Sequence, residues 1–251
     1  MPPAPSPAPR LPGAFLRAEW RYLVMLNYEV DPALLAPRVP AGTVLDLHEG
    51  RALASIVAFR FLRTRVLGVP VPLHTDFDEV NLRFYVRREL PGGEVRRAAT
   101  FVRELVPRRA IALVARLAYN EPYRTAPMRS RAPRGLTASP GRLAYEWRLG
   151  GRWQRAAATA AGGPRPLVPG SETAFVAEHY WGYTRQRDGG TVEYHVKHPS
   201  WRTWEARDVE FDADVRGLYG AEWEAVFARG PRSAFVAEGS AVTVYRPRRV
   251  A

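Results

Sequence analysis

From Phe77 to Glu89 the sequence FDEVNLRFYVRRE alternates with a period of two. Val80, Leu82, Phe84 and Val86 point one way, and Glu79, Asn81, Arg83, Tyr85 and Arg87 the other, which predicts a strand with one face built for burial. Trp20–Tyr28 (WRYLVMLNY) predicts a second strand, its even positions Trp20, Tyr22, Val24, Leu26 and Tyr28 suited to the core. Ala52–Leu62 (ALASIVAFRFL) is apolar on both faces for most of its length and reads as a central strand. Pro91 to Gly93 marks a hairpin from the Phe77 strand into another over Glu94–Leu105.

The helical period takes over after Leu105. Ala110, Leu113, Val114 and Leu117 fall at i, i+3, i+4 and i+7, Pro107 suits a first turn, and Asn120 before Pro122 suits a stop. That helix would begin at Arg108 and Arg109, where the backbone already carries partial positive charge and normally attracts acids. Two guanidiniums there predict a bound anion or a buried carboxylate, with a pair of solvated arginines as the plain alternative.

The remaining signals are shorter. Asp31–Pro32 makes an N-cap and first turn for a short helix, Thr43–Leu47 a strand, and Glu49–Gly50 a turn. LAYEWRL is strand-like, whereas Ala156–Pro169 reads as a low-complexity loop. Ser171–Glu172 opens a helix through His179, and Asp188–Gly190 is a hairpin turn before TVEYHVKH. Arg207–Phe211 and Ala234–Tyr245 read as strands with a helix around Ala221–Ala228 between them. Residues 1–13, with six prolines, predict a disordered arm, and residues 14–248 a single α+β domain that is mainly β.

Composition narrows the chemistry. The chain has 251 residues, 46% of them hydrophobic, and no apolar run near the roughly 18 needed to cross a membrane, so a cytoplasmic protein with no membrane partner is expected. With no cysteine, disulfides and thiolate sites are excluded. The net charge of +12 comes from 36 arginines and one lysine, Lys197, interleaved with acids; this fits a GC-rich coding bias better than a dedicated nucleic-acid surface, so no specific nucleic-acid partner is expected. Walker A, G-x-G-x-x-G and G-x-S-x-G motifs are absent, and no cofactor is expected. His195 and His198 form the only close histidine pair, and on a strand they face opposite ways, so no metal site is expected. Trp201 and Trp204 read as core.

The phrases LNYEVDP, FRFLRTRVLGVPVP, EVNLRFYVRRE, VPRRAIALVARLAYNEPY and the later HP-S-W resemble the uncharacterised YqjF-like bacterial family, known as domain of unknown function 2071, over about Phe15 to Tyr245. The resemblance implies the acetoacetate decarboxylase-like superfamily and its double-layered antiparallel β-barrel with a few peripheral helices. Related barrels assemble into larger complexes, so a homo-oligomer is a further expectation. In the decarboxylases a strand ending R-E-L precedes P-K-K, whose lysines form and tune a Schiff base. Here Arg103, Glu104 and Leu105 are followed by Val106, Pro107, Arg108 and Arg109. A guanidinium with a pKa above about 12 is not a free nucleophile, so the imine route is closed at this position. The same comparison matches Arg21 to a substrate-site arginine and Glu79 to an acidic pocket residue.

If the sheet closes, the polar face of the Glu79 strand lines its lumen; otherwise it is a solvated outer face. The expectation is a barrel for a small carboxylate or similar anion. Arg108, Arg109 and Arg21 would hold the ligand, Glu79, Asn81, Arg83 and Tyr85 would line its site, and Glu79 is the candidate acid or base of a lyase-like reaction without a Schiff base. The alternatives are a non-catalytic interaction scaffold, a non-specific nucleic-acid binder, and Schiff-base chemistry through Lys197.

Overall fold

In the computed structural model, residues 13–70, 74–107, 120–133, 137 and 139–250 are described. The predicted arm, apart from Gly13, and the predicted helix with Arg108 and Arg109 lie outside them.

Strands dominate. The first half contributes β1 (Ala14–Val30), β2 (Val44–Leu45), β3 (Ala52–Val66), β4 (Val69–Pro70), β5 (Phe77–Glu89), β6 (Val95–Val106), β7 (Tyr123–Thr125) and β8 (Met128–Arg131). The second half contributes β9 (Arg142–Leu149), β10 (Arg152–Pro166), β11 (Trp181–Arg185), β12 (Thr191–Lys197), β13 (Arg202–Asp212), β14 (Ser233–Tyr245) and β15 (Arg248–Arg249). The short helices are α1 (Pro32–Leu35), capped by the Asp31 side chain, α2 (Glu172–Ala177), capped by Ser171, α3 (Val215–Tyr219) and α4 (Glu224–Ala228).

The ladder runs β12–β11–β6–β5–β3–β1–β14, and β14 pairs back onto β12 through Val196↔Val244 and Lys197↔Thr243. Seven strands therefore close into a ring, which removes sheet edges. Beyond β14 the sheet continues through β13, β10, β9 and β8 and folds over the ring as a second layer. Between the layers lies the larger core. Val24, Leu26 and Tyr28 of β1, Ile56 of β3 and Val80, Leu82 and Phe84 of β5 share one cluster with Tyr145, Trp147, Ala156 and Ala158. A second cluster, including Leu23, Met25, Val57, Phe59 and Trp201, faces into the ring.

Two left-handed residues at one level decide which side chains face inward. Tyr22 sits at φ 53°, rare for a residue with a Cβ, and opposite β3 both Tyr22 and Leu23 fall in the space of Phe59 alone. Before this bulge Trp20 points into the ring; after it Leu23 does. The expectation that Trp20 shares a face with Tyr22 is thus corrected, because the bulge reverses the alternation. Gly239, the partner of Arg21 on β14, is at φ 75° and reverses that strand too: Phe235 and Ala237 face inward before it, Val242 after it. A bulge at Val102 in β6 has the same effect, with Phe101 opposite Arg83 and Glu104 opposite Asn81 both facing the lumen.

Other expectations need correction. Ala156–Pro169 is for the most part strand β10, because β9 and β13 supply hydrogen-bonding partners on both sides and the small side chains fit beneath the second layer; pairing outweighs weak strand propensity. The sheet is mixed, since β6 pairs in parallel with both β7 and β11. The helix expected to reach His179 stops at Ala177, Thr43–Leu47 forms only the two residues of β2, and α3 was not anticipated. No helix among the described residues is long and apolar enough to cross a membrane.

Candidate functional site

The closed ring surrounds a cavity of about 180 Å³. Its walls are mostly apolar, with Trp20, Phe59, Phe61, Phe77, Phe101 and Trp201 among them, and its polar groups come largely from β5, β6 and the segment leading into β7. The odd-numbered face of β5 delivers Glu79, Asn81 and Arg83 to the wall, as the alternation requires. Glu104 comes from β6, and Glu121 and Tyr123 from the NEPY turn, whose backbone is pinned to β6 by the register Glu104↔Tyr123. Tyr194 of β12 completes the group.

These side chains interlock. Asn81 Nδ2 donates to Glu79 Oε1 at 2.9 Å, and the Tyr123 hydroxyl donates to Glu79 Oε2 at 3.2 Å. The Tyr194 hydroxyl donates to Glu121. Close packing makes room for this: a Cβ on Gly182 would lie 2.1 Å from the Tyr194 ring, so only glycine lets the ring reach Glu121. Glu79, Glu104 and Glu121 are 3%, 1% and 7% exposed, three carboxyls in one dry place.

Burial dominates their titration. It pushes Glu79 up to about 7 against the hydrogen bonds from Asn81 and Tyr123 and the charge of Arg83. Glu121 rises to about 8 by burial, with repulsion from Glu79 added and the Tyr194 hydrogen bond opposing. Glu104 is raised well above the carboxylate range by burial and by repulsion from Glu121 and Glu79. Near neutral pH the cluster therefore holds protons and can donate hydrogen bonds to an oxygen placed among them.

Of the other candidate residues, Arg83 lines the cavity while donating to the Val176 carbonyl at 3.2 Å and to the Tyr85 hydroxyl at 3.4 Å. Tyr85 lies behind the wall, its hydroxyl 2.7 Å from that of Ser55. Arg21 is off the cavity wall. Its Nε and Nη2 meet Glu19 Oε2 at 2.9 and 2.8 Å and its Nη1 donates to the Gly239 carbonyl at 3.0 Å, which clamps the paired reversals of β1 and β14. Lys197 is exposed near the end of β12 and does not line the cavity, so the sequence's single lysine is not among the cavity's side chains. His198 lines the cavity and stacks on Trp201, whereas His195 does not line it. No group of three potential ligands among the described residues could hold a metal ion.

Sequence reasoning passed over Glu104, Glu121, Tyr123, Tyr194 and His179 as site residues. The available signals were a lone acid in the apolar strand end RELV and another in NEPY. Neither shows, without the parallel pairing of β6 and β7, that the two acids meet.

The chain matches, over 99% of its length and 93% of the other's, the crystal structure of acetoacetate decarboxylase from Legionella pneumophila subsp. pneumophila str. Philadelphia 1, at 16% identity and a TM-score of 0.64. The enduracididine biosynthesis enzyme MppR complexed with pyruvate aligns over 99% of this chain and 95% of that one, at 16% identity and a TM-score of 0.65. An acetoacetate decarboxylase-like enzyme from Sphingomonas wittichii RW1 aligns over 100% and 98%, at 15% identity and a TM-score of 0.64. At these identities the likeness is one of fold, and the fold is acetoacetate decarboxylase-like. No curated protein matches the sequence. The model of the family DUF2071, described as an uncharacterized conserved protein, matches residues 17–241, and the chain belongs to that family.

Proposed function

We propose that this protein binds a small organic acid in the barrel cavity and that Glu79 exchanges a proton with it, in a lyase-like reaction that needs no imine. The observation that carries this reading is the convergence of Glu79, Asn81 and Arg83, from one strand face, on an otherwise mostly apolar cavity. Arg83 is the one arginine or lysine among the described residues of the cavity wall, and its guanidinium is suited to a carboxylate. Arg108 and Arg109, which lie outside the described residues, are assigned to the ligand from the sequence alone.

A carboxyl titrating at about 7 is divided between its acid and base forms at neutral pH, the condition under which one group can take up and return a proton efficiently. An enolate formed beside a carbonyl would meet protonated carboxyls and Arg83, which stabilise oxyanion charge without covalent attachment. The position of Lys197 outside the cavity lining supports a route without a lysine imine. MppR, which shares the fold, has been solved with pyruvate, itself a small oxo acid.

Titration calorimetry with mandelate and phenylglyoxylate, two aryl acids chosen to suit the aromatic walls, tests the reading. Binding by the wild type is expected, with Arg83→Ala weakening it at least roughly tenfold, about 1.4 kcal/mol. Equal affinity in the variant would remove Arg83 from the ligand, and no heat with either acid would count against the cavity as an organic-acid site.

A further inference from the structure

Ten buried side-chain polar atoms have no hydrogen-bond partner among the described residues, and five of them belong to residues of the cavity wall: Trp20 Nε1, Thr64 Oγ1, Asn81 Oδ1, Glu104 Oε2 and His179 Nδ1. Unpaired buried polar atoms are costly, and their concentration around one cavity marks it as a place where a ligand completes the hydrogen bonding. His179 is the member whose donor or acceptor character the structure fixes.

His179 follows α2 and is 7% exposed, its ring packed against Tyr85 at a centroid distance of 4.5 Å and against Phe175 at 5.0 Å, while those two rings meet each other at 5.5 Å. Its Nε2 lies 3.1 Å from Asp46 Oδ2, and the same oxygen accepts from Arg97 Nε at 2.7 Å. The Asp46 backbone N–H is fixed in turn on the Tyr85 carbonyl at 3.0 Å. Although burial raises the Asp46 carboxyl, its hydrogen bonds with His179 and Arg97 and the Arg97 charge outweigh this and hold it below the usual carboxylate range. An ionised carboxylate only accepts, so the hydrogen between the two groups sits on His179 Nε2. Burial, with the charges of Arg97 and Arg83 added and only partly opposed by Asp46, lowers the imidazole to about 4, so the ring is neutral. A neutral ring protonated at Nε2 leaves Nδ1 as a lone pair.

We infer that His179 Nδ1 is the cavity's acceptor for a ligand hydroxyl, so that the bound acid is a hydroxy acid in preference to its oxo counterpart. The inference rests on the reading that the cavity takes an organic acid, and adds which one. Protonated Glu79, Glu104 and Glu121 offer donors to ligand oxygens and Arg83 offers a cation; a ligand with only acceptor oxygens leaves the His179 lone pair unmet. Arg97 and Asp46 act as positioning residues, since they fix the tautomer and do not themselves line the cavity.

Ring ¹⁵N chemical shifts of His179, assigned by their loss in His179→Phe, report which nitrogen carries the hydrogen in the ligand-free wild type. The expected state is hydrogen on Nε2 and none on Nδ1. Mandelate is expected to bind at least tenfold more tightly than phenylglyoxylate, and His179→Phe, which keeps a ring against Tyr85 and Phe175, is expected to abolish that preference. A hydrogen on Nδ1, or equal affinity of the wild type for the two acids, overturns the inference and leaves the organic-acid reading standing. Failure of both acids to bind overturns the two together. Should His179→Phe not fold, the mandelate preference of the wild type decides the matter.

Discussion

Glu79→Gln is expected to melt above the wild type at pH 8, by on the order of 3 kcal/mol, and to melt with it at pH 4. In the unfolded chain the carboxyl titrates near 4.5, and in the folded protein at about 7. Between those values the folded state holds a proton that the unfolded state has released, so stability falls as pH rises through this window and levels off above it. At about 1.4 kcal/mol per unit, the two and a half units amount to roughly 3 kcal/mol. Below pH 4.5 both states are protonated and the penalty vanishes. Glutamine has the shape of the neutral carboxyl, keeps an oxygen for Asn81 or Tyr123, and carries no penalty at any pH. For a chain of this size the gain corresponds to roughly 10 °C in melting temperature. Thermal melts of both proteins across pH 4 to 8 check it; parallel curves would mean that Glu79 is ionised in the folded state. A site that retains such a carboxyl sacrifices stability at neutral pH, a cost more readily understood if the proton is used.

Gly239→Ala is expected to act in the other direction, with a loss of roughly 3 kcal/mol or more. Gly239 has φ 75°, and a Cβ there would stand 2.0 Å from the Trp20 carbonyl oxygen and 2.9 Å from Leu23 Cδ1. The obstructing atom is backbone, so β1 itself must move at the bulge that sends Trp20 and Leu23 into the cavity. Arg21 would lose its carbonyl anchor at the same point. Chemical denaturation measures the loss, and tryptophan fluorescence should report a changed environment for Trp20; a variant of wild-type stability would show that the two strands are not locked at this level.

Much of the architecture is legible because one face of β5 is apolar from Val80 to Val86. Alternation alone places Glu79, Asn81 and Arg83 together and sends Val80, Leu82 and Phe84 into the interlayer core, and the structure has them there. Alternation fails where the backbone slips. Tyr22 and Val102 are not residues that announce a bulge, so the reversals that bring Trp20, Phe101 and Glu104 to the cavity leave no local signal. The alanine- and glycine-rich β10 reads as a loop because its strand character comes from its neighbours. The acid cluster and the Arg97–Asp46–His179 chain join segments far apart in sequence. Only closure of the ring and the parallel β6–β7 pairing bring the acids together. Arg21, which the family resemblance directs to the ligand, has its fork on Glu19 and the Gly239 carbonyl in the structure.

Binding of an organic acid in the barrel cavity at Arg83 and Glu79 is decided by a crystal structure of the protein soaked with mandelate. The expected result is mandelate inside the ring, its carboxylate at hydrogen-bonding distance from Arg83, its phenyl group against Trp20 and Phe59, and the Glu79 carboxyl beside its hydroxylated carbon. Mandelate ordered elsewhere on the molecule, with the cavity free of it and Arg83 still on the Val176 carbonyl, would contradict the claim.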